Sequence, residues 1–106
     1  MKRYKRLSVN LWRVQLACQD WRTGQEVWRS PDLYLSKDKD GRWWTSASAE
    51  LLAQLGTKAT NDIQPNLEWG LKPMAAADSD GFEQQFGIRL SQLPIGEETN
   101  HLPEAP

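Results

Sequence analysis

A chain of 106 residues has room for one hydrophobic core, and 39% hydrophobic with 25% charged residues is the composition of a folded domain, which excludes wholesale disorder. The net charge of −1 hides a division: residues 1–45 hold ten Lys or Arg against five Asp or Glu, and residues 46–106 hold three against nine. No run approaches the ~20 apolar residues of a membrane-spanning helix, and a lone Cys18 excludes an internal disulfide, so the cytoplasm is the expected compartment.

The start, MKRYKR, reads as a basic arm over residues 1–6, with no apolar stretch after it to make a signal peptide. Leu7, Val9 and Leu11 alternate with polar residues, then Trp12, Val14, Leu16 and Cys18 alternate on the opposite parity. That pattern predicts one long strand with a β-bulge near residue 11. Asp20-Trp21-Arg22-Thr23-Gly24 predicts a hairpin turn, with Gln25–Arg29 returning as the second strand. Ser30-Pro31 interrupts pairing, Leu33 and Leu35 restart it, and Lys37-Asp38-Lys39-Asp40-Gly41 predicts the turn of a second hairpin closed by Arg42–Thr45.

Ser46 or Ser48 can cap a helix running to about Leu55, with Leu51, Leu52 and Leu55 on one face and Gly56 just past its end. Residues 57–81 read as loops with one short strand-like piece around Leu67–Leu71. Phe82, Phe86, Leu90 and Leu93 fit helical spacing, but Gly87 followed by β-branched Ile88 favours a strand over 86–92. Residues 94–106, with three prolines and three glutamates, read as a flexible tail. The expected fold is α+β: a mainly antiparallel sheet from two N-terminal hairpins, one central helix, one further C-terminal strand and a tail, with residues 1–93 as the single domain. In layout this resembles the small single-strand-binding coactivator fold, in which a curved sheet precedes a C-terminal helix.

Six tryptophans in so short a chain call for an account, and five of them fall between residues 12 and 44. Four abut arginine, as Trp12-Arg13, Trp21-Arg22, Trp28-Arg29 and Arg42-Trp43. An indole face stacks on any nucleobase and a neighbouring guanidinium binds phosphate, which suits single-stranded nucleic acid. Trp and Arg are also the side chains most enriched at protein-binding hot spots, and a chain with two Phe and two Tyr uses Trp as core filling too.

Parity sorts them. Trp12 shares the face of Val14 and Leu16 and packs inward; Trp21, Trp28 and one of Trp43 or Trp44 are the exposed candidates. The candidate contact residues are therefore Arg13, Trp21, Arg22, Trp28, Arg29, Arg42, Trp43 and Trp44. Asp38-Lys39-Asp40-Gly41 and Asp78-Ser79-Asp80-Gly81 begin like calcium loops, but Ala47 and Gly87 stand where the bidentate Glu belongs, so both read as turns. His101 lies in the tail away from any nucleophile, Cys18 reads as a small core residue, and no phosphate loop or CxxC pair is present. The reading is a non-enzymatic binding protein without metal or cofactor, taking single-stranded nucleic acid, or alternatively a partner protein or second copy through the same Trp-rich face.

Overall fold

The computed structural model describes residues 2–46 and 71–104. Seven strands form one sheet: β1 (Lys2–Ser8), β2 (Leu11–Gln19), β3 (Glu26–Arg29), β4 (Leu33–Lys37), β5 (Trp43–Thr45), β6 (Lys72–Pro73) and β7 (Glu98–Thr99). Their order is β6-β5-β4-β2-β1-β7, with β3 also beside β2, and every strand pairing is antiparallel. Among the described residues one helix packs on the sheet: α1 (Ala76–Phe82) continues through a π-helical turn (Glu83–Gly87) into Ile88–Leu90. The fold is thus α+β and mainly antiparallel, and none of its helices is long and apolar enough to cross a membrane among the described residues.

Both expected hairpins are present. Gly24, at φ 72°, closes the turn between β2 and β3 by donating its N–H to the Asp20 carbonyl at 2.8 Å. The Asp38 carboxylate organises the β4–β5 turn by accepting the N–H groups of Asp40 and Arg42, each at 2.9 Å. Ser30 bridges the break before Pro31: its N–H donates to the Leu16 carbonyl at 2.8 Å and its Oγ accepts the Leu16 N–H at 2.9 Å. β3 and β4 therefore lie along the same side of β2 in succession.

The first eighteen residues differ from their sequence reading. The phase shift at residue 11 marks a chain reversal, since Ser8 pairs with Leu11 across a two-residue turn at Val9-Asn10. A bulge does occur, but at Leu7, where the register shifts between Arg6 and Ser8. The basic arm is β1 itself: Tyr4, 6% exposed, joins the core. Arg6 donates through Nη1 and Nη2 to the Val9, Ser91 and Leu93 carbonyls at 2.6, 3.0 and 3.0 Å, while its Nε is buried without a hydrogen bond among the described residues.

The strand expected over 86–92 is the end of the helix. Tertiary packing decides it: Phe82, Leu90 and Leu93 are buried, and Phe86 packs on the same cluster around Trp12 and Trp43. Gly87 is required there as a close approach, because a Cβ would run into Glu83 Oε2 and stand 2.8 Å from Trp43 Cζ2. The π turn, closed by the Ile88 N–H on the Glu83 carbonyl, adds the residue that keeps Phe82 and Leu90 both facing the sheet. Asp78-Ser79-Asp80-Gly81 is helical for the same reason, with Ser79 Oγ accepting the Trp43 N–H at 3.0 Å.

The late strand is β7, inside the segment read as a tail. Residues 95–104 touch the body at several points: Ile95 bridges to Arg6, Glu98–Thr99 pairs with Tyr4 and Lys5, and Arg89 Nε donates to the Pro103 carbonyl at 2.8 Å. The helix expected up to Leu55 and most of the piece around Leu67–Leu71 lie outside the described residues.

The core sits between the helix and one face of the sheet. Trp12 and Trp43 are both fully buried, with ring centroids 5.0 Å apart, and Phe82 meets Trp43 edge-on at 4.9 Å. Trp12 Nε1 donates to the Leu90 carbonyl at 2.9 Å and Trp43 Nε1 to Glu83 Oε2 at 2.7 Å, so each indole is buried with its polar edge satisfied. Truncating either to alanine removes about 3–5 kcal/mol.

Candidate contact surfaces

The eight sequence-derived candidates separate into three places. Trp43 is core and leaves the set: of the consecutive pair it is the one that faces the helix, and its ring is closed off from any ligand. Trp44 takes the opposite face, half-buried, with Nε1 donating to Asp38 Oδ2 at 2.9 Å. Arg42 is turned toward the chain, its Nε donating to the Met74 carbonyl at 3.0 Å beside an open cleft of about 450 Å³ that also has Asp38, Asp40, Ser79 and Asp80 in its wall.

The β2–β3 hairpin forms the first surface. Among the described residues nothing covers the apolar side chains of Trp21, Val27 and Trp28. Trp21 is 87% exposed, Val27 64% and Trp28 52%. Trp28 pairs with Cys18, which is itself exposed, although that face carries Trp12 and Val14 further along β2. Cys18 was read as a core position on parity; the parity is right, but the helix ends before reaching it. The Arg22 guanidinium lies 5.1 Å from the Trp21 ring centroid, and the backbone N–H of Arg22 donates to Asp20 Oδ1 at 2.7 Å, which orders the turn.

The second surface is the sheet face opposite the helix. A cross-strand row runs Glu98, Lys5, Arg13, Tyr34, and the next row holds Arg3 and Gln15. Among the described residues two carboxylates pair with these cations, and a third, Asp32, accepts from Gln15 Nε2 at 2.7 Å. Glu26 accepts from Arg29 Nε at 2.7 Å and Arg3 Nε at 3.2 Å; Glu98 accepts from Arg29 Nη1 at 2.5 Å and stands 3.3 Å from Arg13 Nη2. The hydrogen bond from Arg29, with help from Arg3, holds the Glu26 carboxyl below the usual glutamate range. Tyr34 donates to Asp32 Oδ2 at 3.2 Å, and burial together with the Asp32 charge pushes its phenol upward.

Sequence reasoning had no means of finding Glu98, whose place beside Arg13 depends on β7 returning to β1. Arg3 and Lys5 carried a signal, alternation about Tyr4, that a single apolar residue made too faint to read as a strand. Among the described residues no group of three or more His, Cys, Asp or Glu is placed to hold a metal ion. No family model, no curated protein and no solved structure matches this chain.

Proposed function

We propose that the protein is a small binding module that takes single-stranded nucleic acid on the β2–β3 hairpin, with bases stacked on Trp21 and Trp28 and a phosphate on Arg22. The observation that carries this reading is the exposure of Trp21, 87%, beside an arginine that no carboxylate pairs with among the described residues. Stacking tolerates any base and contributes about 1–3 kcal/mol for each indole. With Arg22 the one free cation at the tip among the described residues, binding is expected to depend weakly on salt, with a log–log slope of about −0.7.

Titration of intrinsic fluorescence with oligo(dT) at low salt tests it: quenching is expected, and its absence at every concentration removes the reading. One observation favours a second reading, a folded partner or a second copy at the same tip. Val27 stands exposed beside the indoles and widens the apolar patch, which suits a protein surface better than a base. On that reading sedimentation velocity at high concentration shows self-association that Trp21→Ala abolishes, and oligonucleotides leave the fluorescence unchanged.

A further inference from the structure

The sheet face opposite the helix holds more positive charge than its neighbours neutralise with good geometry. Lys5, Arg13, Arg3 and Arg29 meet there across three strands, against Glu26, Glu98 and, at the edge held by Gln15 and Tyr34, Asp32. Arg13 is the centre of the row, yet among the described residues neither its Nε nor its Nη2 makes a hydrogen bond, and both atoms are closed off from solvent. Its approach to Glu98 at 3.3 Å supplies charge without hydrogen-bond geometry. Buried guanidinium donors left unbonded are costly, and a phosphate, with several acceptor oxygens, would satisfy them where a single shared carboxylate oxygen does not.

Glu98 is also held lightly. β7 pairs with β1 through two residues only, Thr99 with Tyr4 and Glu98 with Lys5. The same carboxylate oxygen serves both Arg13 and Arg29, so displacing that one side chain leaves Arg13 without a carboxylate among the described residues, while Arg29 keeps Glu26 at 2.7 Å. The acidic C-terminal segment therefore lies on the basic N-terminal strands as an internal anion, which is how the charge division in the sequence is resolved in space.

We infer that this face is a second site, for a chain of phosphates, and that Glu98 occupies it as a built-in competitor. The indoles take no part in it, so it stands apart from stacking at the hairpin tip. A polyphosphate and a nucleic-acid backbone share the chemistry, and two ligands separate them: sodium tripolyphosphate, followed by calorimetry, and oligo(dT), followed by fluorescence.

Glu98→Ala is expected to bind tripolyphosphate roughly ten-fold more tightly than the natural sequence, the equivalent of one charge-assisted hydrogen bond gained. Arg13→Gln added to Glu98→Ala returns the affinity to its starting value. If the backbone of a single strand is the ligand, the salt slope for oligo(dT) steepens in Glu98→Ala from about −0.7 to about −1.4, as Arg13 joins Arg22. Should Glu98→Ala disturb β7, seen as a changed circular dichroism spectrum, Glu98→Gln keeps the shape and removes only the charge. Unchanged tripolyphosphate affinity in both variants overturns the inference, whether or not oligo(dT) quenches fluorescence. A gain for tripolyphosphate with no oligonucleotide quenching in any variant leaves the inference standing and removes the stacking reading instead.

Discussion

Replacing Gly87 by alanine sets two effects of opposite sign against each other. On helix propensity alone the change stabilises by about 0.5–1 kcal/mol, because glycine in a helix interior loses more backbone freedom on folding. The structure opposes that gain. The new methyl would collide with Glu83 Oε2 and approach Trp43 Cζ2 to 2.8 Å. Overpacking of this kind costs about 1–3 kcal/mol, and if Glu83 swings away, Trp43 Nε1 loses its acceptor and Lys37 its partner at 3.0 Å, about 1 kcal/mol more. The net is a destabilisation of about 1–2 kcal/mol, a fall in Tm of about 4–8 °C in a domain of this size. Thermal unfolding followed by circular dichroism measures it. A rise in Tm would refute the claim that the helix packs on Trp43 at Gly87.

Trp44 and Asp38 make a second, pH-dependent case. Burial raises the Asp38 carboxyl, but the hydrogen bonds from Trp44 Nε1 and from the Arg42 and Asp40 N–H groups outweigh it and leave the group below the ordinary aspartate range. A depressed carboxylate contributes stability that is fully present above its unfolded value, near 4, and is lost only as pH falls through its lower folded value. Stability attributable to Asp38, read as the difference between the natural sequence and Asp38→Asn, should therefore be flat from pH 7 to about 4.5 and shrink below that; a decline beginning near pH 6 contradicts it. Cys18 should react with a thiol reagent in the native state without denaturant, since it is exposed beside Trp28, whereas labelling that waits for unfolding would place it in the core.

Where sequence and structure agree, local chemistry was sufficient. Gly24 and Asp38 specify their turns through a positive φ and through side-chain acceptance of backbone N–H groups, and both hairpins follow from them. The inward Trp12 was legible because parity along a strand fixes the face; Trp21 is exposed in the turn, and Trp28 is exposed on the Trp12 face, because the register shift between Cys18 and Gln19 sets it opposite Cys18 and not on the Glu26 side. Parity reports a face, however, and not whether anything covers it. Cys18 shares the face of Trp12 and is exposed because the helix stops short.

The misread helix has the complementary cause. Asp78, Ser79, Gly81 and Gly87 are poor helix formers, and no side chain caps the N-terminus at Ala75, so its stability comes from Phe82, Leu90 and Leu93 against the two core indoles. The helical spacing of Phe82, Phe86, Leu90 and Leu93 was the local trace of that packing, and Gly87-Ile88 outweighed it because the contact with Trp43 that requires Gly87 is long-range. The charged face was hidden in the same way, since Glu98 reaches Arg13 and Arg29 only through the pairing of β7 with β1.

The central claim is that the hairpin tip is a binding surface for single strands. Fluorescence titration with oligo(dT) of the natural sequence and of the Trp21→Ala and Trp28→Ala variants tests it most directly, because neither side chain belongs to the core and both variants should keep the natural Tm. The account predicts quenching in the natural sequence and an affinity about 5- to 150-fold weaker for each indole removed. Equal affinity in all three proteins, or no quenching in any of them, would contradict it.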